Sequence, residues 1–225
     1  HGGVSQEAWQ SLNLGDHVGD RAADVATNRQ RLAALLPSPP RWMNQVHGIS
    51  VFDADAGGVG VPEADAAIAR RSGQVCVVMT ADCLPVLFCD RAGSVVAAAH
   101  AGWRGLRAGV LEATIAAMDT APSNLVAWFG PAIGPAAFEV GAEVREAFVR
   151  QDKAAAAAFV AGVGDRYQAD LYLLARQRLL RAGVSSIHGG GACTFEDREH
   201  YFSYRRDGVT GRMATLIWRD DEVDA

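Results

Sequence analysis

Apolar and polar positions divide the chain into short strand-like runs and longer helical stripes. VCVVM at 75–79, LPVLFC at 84–89 and SVVAAA at 94–99 are unbroken apolar runs of strand length. The last two are joined by Asp90, Arg91, Ala92 and Gly93, residues that favour a turn, so they predict a β-hairpin. LVAWFG at 125–130, a segment near 184–188 and MATLIW at 213–218 predict further strands, and ISVF predicts one after residue 48. Residues 19–36 predict a helix capped near Asp20 and stopped by Pro37. An apolar stripe predicts a helix over 103–118, and others are expected over about 139–160 and 168–182. Strands mixed with helices, with at least one hairpin, predict an α/β (α+β) layered sandwich with a mixed sheet. PSPP at 37–40 ends a helix, and no repeat or long linker interrupts the chain. Residues 1–225 are therefore expected to form a single domain.

Composition narrows the function. With 49% hydrophobic and 21% charged residues, the 225-residue chain has the makings of a core, which excludes disordered, collagenous and coiled-coil classes. A net charge of −5 provides no basic field for nucleic acid. No apolar run approaches the roughly 18–20 residues needed to span a bilayer, so no membrane partner is expected. The first residues, HGGVSQEAWQ, carry no signal-peptide pattern. Lys153 is the only lysine and lies in an alanine-rich stretch expected to be helical and exposed. P-loop and Schiff-base chemistry, which need a placed lysine, are thereby disfavoured. The cysteines Cys76, Cys83, Cys89 and Cys193 form no CxxC and no disulfide framework, which points to a reduced, cytoplasmic setting.

The hairpin offers the first chemistry. If its turn is centred between Arg91 and Ala92, paired residue numbers sum to 183 and Cys83 faces His100. Side chains so opposed have Cβ atoms about 4.5–5.5 Å apart, which suits one metal ion or a thiolate–imidazolium pair. TADCLP puts Asp82 beside the thiol. HAGWRG follows His100 with two glycines and Arg104 at a helix start, where free N–H groups favour an anion. His47 in NQVHG is a candidate third group, although spacing alone does not bring it to the hairpin. His1, His17, His188 and His200 are each as open to a surface reading as to any other.

NQVHG, TADCLPVLF, HAGWRGL, GPAIGPAAFEVG and YFSYRRDGVTGRMATLIW, in this order, resemble the YfiH/YlmD family, also called laccase-domain or polyphenol-oxidase-like. The resemblance runs from residue 11 to Trp218. It implies a YfiH-like layered α/β sandwich and one zinc ion held by His47, Cys83 and His100. It also implies phosphorolysis of adenosine, inosine, guanosine and methylthioadenosine, and deamination of adenosine. The chain departs from the family at Ala132, Ala136 and Ala137, where many members carry cysteines, so those cysteines are not required for the activities assigned. A Thr-Arg pair usually precedes Gly-Gly-Val-Ser; His1 stands there instead, so a substrate-contacting arginine is expected to be missing from this set.

Two histidines and a cysteine leave a fourth zinc position for water, the pattern of a catalytic site. In deamination such water would attack the amine-bearing carbon of adenine, with Asp82 as candidate proton carrier. The H-x-E and P-C-x-x-C signature of known base deaminases is absent. In phosphorolysis Arg104, Arg205 and Arg206 are candidates to hold phosphate, with Phe202 and Tyr204 flanking a base. Copper is a possible substitute for zinc, but a four-copper oxidase needs roughly ten histidines and the chain has six. One alternative is a cysteine hydrolase of amidase type, with Cys83 as nucleophile and a histidine as base. Another is a non-catalytic zinc protein closed by Cys76, Cys89 or His200. HGGG at 188–191 resembles a lipase oxyanion loop, but the chain has no G-x-S-x-G.

Overall fold

The structure, a computed structural model, describes residues 1–220. Its strands are β1 (Val51–Asp53), β2 (Ala66–Ala69), β3 (Cys76–Thr80), β4 (Leu84–Asp90), β5 (Val96–Ala101), β6 (Leu125–Phe129), β7 (Glu139–Gly141), β8 (Phe159–Ala161), β9 (Arg166–Ala169), β10 (Ser186–Gly189) and β11 (Met213–Ile217). The helices are α1 (Ala22–Ala33), α2 (Trp103–Ala108), α3 (Val110–Met118), α4 (Ala142–Gln151), α5 (Leu171–Arg181) and the single turn α6 (Tyr204–Asp207).

The main sheet has six strands in the order β1-β2-β5-β4-β6-β10. Its outer pairs are parallel and its inner pairs antiparallel, so the sheet is mixed. Alternation along its strands feeds two cores. Ala66, Ile68, Leu84, Val86, Phe88, Ala97 and Ala99 join the core with α3 and α5. Ala67, Ala69, Val96 and Ala98 face the other way, onto Cys76 and Val78 of β3. β3 pairs with β11 as a separate two-stranded sheet. The result is a layer of helices, a six-stranded sheet and a two-stranded sheet, the layered α/β sandwich expected. A three-stranded sheet, β7-β9-β8, stands beside it.

Several elements differ from the sequence pattern. α1 starts at Ala22 without a side-chain cap, because Asp20 instead accepts hydrogen bonds from Ser5 Oγ and Asn13 Nδ2. The helix expected over 103–118 is broken at Gly109, whose φ of 110° no ordinary residue adopts easily. The stretch 139–160 begins and ends as strand, with α4 and a 3-10 turn at Lys153–Ala158 between. Asp152 enforces that break by capping Ala154 N. Helix α5 starts at Leu171, capped by Asp170, because residues 166–169 are taken up as β9.

The hairpin register also differs. Cys89 pairs with Val96 and Pro85 with His100, so paired numbers sum to 185. The turn is centred between Ala92 and Gly93, where the Asp90 carboxylate takes the N–H groups of Ser94 and Val95. Cys83 is therefore not directly opposite His100 but diagonal to it. A slip of two residues leaves a side chain on the same face of the sheet, so the two still meet.

Candidate metal centre

Three loops and strand ends converge at the open end of the hairpin. His100 is the penultimate residue of β5 and only 4% exposed. Cys83 immediately precedes β4 and is half-buried. His47 comes from the loop before β1 and is exposed. One ligand atom from each lies within 4.8 Å of the other two. Cys83 Sγ is 3.8 Å from His47 Nε2, and the two imidazoles pack edge to face at 4.7 Å.

Asp65, which the sequence pattern gave no reason to select, organises the cluster. It is fully buried, just before β2. Its carboxylate accepts N–H groups from Val46 at 3.1 Å, His47 at 2.9 Å and Gly48 at 2.7 Å. Those bonds hold His47 at φ 60°, a left-handed conformation that histidine seldom adopts. Asp65 Oδ1 also accepts from His100 Nδ1 at 2.8 Å, and its carbonyl accepts from His100 N. With its proton on Nδ1, His100 presents Nε2 to Cys83 and His47. Carboxylates behind histidines orient metal ligands in this way.

The electrostatics follow from that packing. Burial raises the Cys83 thiol, but the charge and hydrogen bond of His100, then those of His47, bring it down to about 6. Burial disfavours the His100 imidazolium, but the Cys83 thiolate and the Asp65 hydrogen bond raise it to about 9. Burial also acts against the Asp65 carboxylate, yet His100 and the loop amides hold it below its usual value. Cys76, in contrast, lies in β3 and is pushed up to about 12 by burial.

The residues fit a metal ion. Two ligand bonds of about 2.0–2.3 Å can span the gap between Cys83 and His47. The glycines of HAGWRG leave room for the cluster. A Cβ on Gly102 would sit 2.7 Å from His47 Cδ2 and 2.9 Å from Cys83 Sγ, and one on Gly105 would sit 2.9 Å from the Gly48 carbonyl.

The cluster opens into a cavity of about 600 Å³. Trp103, Phe138 and Tyr204 give it aromatic walls, and Arg104, Arg205 and Arg212 give it positive charge. Arg104 stacks on Trp103 at 4.4 Å, and Arg205 lies over Phe138 while donating to the Glu139 carbonyl. His17 is exposed and also borders the cavity. Arg212 was not singled out by the sequence pattern.

Asp82 reaches the cavity, but its carboxylate is engaged. Oδ1 accepts from Thr194 Oγ1 and Oδ2 from Arg205 N, each at 2.6 Å. Arg206 is not brought to this cavity. All five of its N–H donors are taken, by the carbonyls of Thr194, Phe195 and Tyr201 and by Asp207. It borders a different cavity, of about 840 Å³, together with Phe202. His188 and His200 bond instead to Ser186 and Asp197. Among the described residues, no helix is long and apolar enough to cross a membrane.

Comparison with known proteins accounts for almost the whole chain. The family described as "Multi-copper polyphenol oxidoreductase laccase" matches residues 1–220. The Escherichia coli K12 protein named purine nucleoside phosphorylase YfiH is 57% identical over 219 residues, covering 96% of this chain and 90% of the relative. A crystal structure of Neisseria meningitidis NMB0706 superposes with a TM-score of 0.96 at 53% identity, over 98% of this chain and 91% of that one. YlmD from Geobacillus stearothermophilus superposes at 0.90 with 35% identity, over 98% and 89%.

Proposed function

Since the chain belongs to the YfiH/YlmD family, whose sequence profile is described as a polyphenol oxidoreductase laccase, we propose that it is a zinc-dependent purine nucleoside enzyme. Its reactions are phosphorolysis of adenosine, inosine, guanosine and methylthioadenosine, and deamination of adenosine. The observation that carries this reading is the His47–Cys83–His100 group at the floor of a cationic, aromatic-walled cavity. Relatives named purine nucleoside phosphorylase support it.

His47 Nε2, Cys83 Sγ and His100 Nε2 would hold the zinc, with Asp65 behind them. Bound there, zinc would supply Lewis-acid polarisation at the floor of the cavity. In phosphorolysis the bond from the sugar C1′ to the base nitrogen breaks and a phosphate oxygen bonds to C1′. The proton of the attacking hydrogen phosphate ends on the departing base. The aromatic walls suit a purine, and Arg104 and Arg205 are placed to attract the anion. Asp82 serves as a positioning residue, fixing Thr194 and the start of α6 so that Arg205 stays on the wall. Deamination exchanges the amine of adenosine for a water oxygen and releases ammonia without phosphate. A reducing compartment is part of this proposal, since the Cys83 thiol must stay free to hold the metal.

Copper is an alternative ion for the same ligands. The multi-copper chemistry in the family's description needs more ligand groups than the one His–Cys–His cluster found among the described residues. A closed, non-catalytic site would need a fourth ligand, and Cys76, Cys89 and His200 do not border the cavity. The second reading, a cysteine hydrolase, is favoured by one observation: Cys83, His100 and Asp65 form a thiolate–imidazolium–carboxylate series. Metal content separates the two readings. The as-purified protein should carry about one zinc per chain. Cys83→Ser should lose most of it and all nucleoside turnover, because a hydroxyl replaces thiolate poorly. A metal-free protein that hydrolyses amides through Cys83 would favour the hydrolase.

A further inference from the structure

Arg212 differs from the other arginines of the cavity in how firmly it is held and in what it leaves unbound. It immediately precedes β11 and is partly buried. Its main chain is gripped by the segment Asn13–Gly15: Asn13 Oδ1 accepts from Arg212 N at 2.8 Å, and Leu14 N donates to the Arg212 carbonyl at 3.1 Å. Asn13 is fully buried and is itself fixed by Asp20 and by Asn28, which donates to the Asn13 carbonyl. A buried polar network of this kind makes a rigid mount.

The side chain is equally constrained. Its stem lies against Gly15, where a Cβ would come within 2.7 Å of Arg212 Cγ and 3.1 Å of its Cβ. Nη1 donates to the carbonyls of Thr210 and Gly211. The guanidinium carbon lies 5.8 Å from the ring centre of Tyr204. These contacts occupy one side of the guanidinium. Nε and Nη2 donate to no group among the described residues, and Arg212 makes no ion pair with a carboxylate there. Asp82 is the nearby carboxylate that acts on it, and both Asp82 oxygens are already engaged.

An arginine whose Nε–Nη2 edge is free and whose stem is fixed offers two parallel N–H donors, the geometry that binds an oxyanion bidentately. The cavity it borders also contains His47, Cys83 and His100. We infer that Arg212 is the residue that receives the tetrahedral oxyanion, inorganic phosphate in the nucleoside reaction, and that Gly15 positions it. The inference rests on the phosphorolysis reading. It assigns the phosphate fork to Arg212, with Arg104 and Arg205 left to attract the anion from the rim.

The test is calorimetric titration of inorganic phosphate into the zinc-loaded protein, with zinc content and melting temperature measured on every variant. The parent should bind one phosphate per chain. Arg212→Gln should weaken binding about a hundredfold, since a charge-assisted pair is lost. Arg212→Lys should fall between, because charge remains but the fork does not. Gly15→Ala keeps the arginine but displaces its stem, and should weaken phosphate about tenfold at unchanged zinc content. In turnover, Arg212→Lys and Gly15→Ala should raise the KM for phosphate with little change in the KM for nucleoside. If zinc-loaded, folded Arg212→Gln bound phosphate like the parent, the assignment would be overturned while phosphorolysis stood. If the parent neither bound phosphate nor split nucleosides with it, the reaction itself would fall and the assignment with it.

Discussion

Asp65 links the ligand loop to the ligand strand. One carboxylate satisfies three consecutive loop N–H groups and the imidazole of His100. Position alone gave no hint of this: in PEADAAIAR it is one of two acids, and nothing in its spacing points to a histidine 35 residues away. The cluster it builds has a defined proton inventory. With thiol near 6 and imidazolium near 9, the metal-free site near neutral pH is a thiolate beside an imidazolium. Metal ligation needs thiolate and neutral imidazole. Uptake of zinc should therefore release about one proton per ion near neutral pH, from His100, with the Cys83 thiol adding another as pH falls below about 6. Affinity should rise with pH up to about 9 and then level off. Calorimetry in buffers of different ionisation enthalpy measures that release directly. Release of no proton at neutral pH would mean that His100 is already neutral and the thiolate–imidazolium description is wrong.

Among the elements, the β4–β5 hairpin and the β5–α2 junction decide whether the ligands meet. The strands themselves were legible, because their apolar runs are strong and the turn residues stand between them. The register was not legible, since Asp90, through its own side-chain bonds to Ser94 and Val95, draws the turn centre one residue along and so shifts the pairing by two. Side-chain alternation has period two, so the error left Cys83 and His100 on one face. Arg205 and Arg206 show the opposite case. Neighbours on a helical turn point about 100° apart, and a sequence does not say which of them faces the cavity beside the His–Cys–His cluster; here Arg205 does, while Arg206 borders a different one. At the junction, Gly102 is where the chain leaves β5 for α2 beneath the ligands. Gly102→Ala should leave the fold intact, since φ there is −64°, but should push His47 and Cys83 apart. Zinc affinity should drop by about tenfold to a hundredfold, the cost of misoriented ligands, as measured by competition with a chromophoric chelator. Undiminished affinity would show that the cluster does not need the space that Gly102 leaves.

The molecule as a whole places a candidate metal-binding group where three segments meet: hairpin strands from the main sheet, a loop ahead of β1, and the β3–β11 pair, which brings Arg212 beside Thr80 and Ala81. The layered α/β plan was legible because β4 and β5, buried almost throughout, are strong apolar runs set among helical stripes. The short strands β7, β8 and β9 were not, because EVG, FVA and RYQA carry too little pattern to separate from the helices beside them. The hairpin chemistry pointed to Cys83 and His100, whereas His47 joined them only through the family resemblance, and nothing in the pattern marked Asp65, Gly15 or Arg212, common residues whose surroundings only the fold sets. The proposed reaction of this site is cleavage of purine nucleosides by phosphate. Phosphorus-31 NMR of inosine and inorganic phosphate with the zinc-loaded protein tests it most directly. A ribose 1-phosphate signal should grow in step with free hypoxanthine and vanish in Cys83→Ser. Hypoxanthine without the sugar phosphate, or no product from fully zinc-loaded protein, would contradict it.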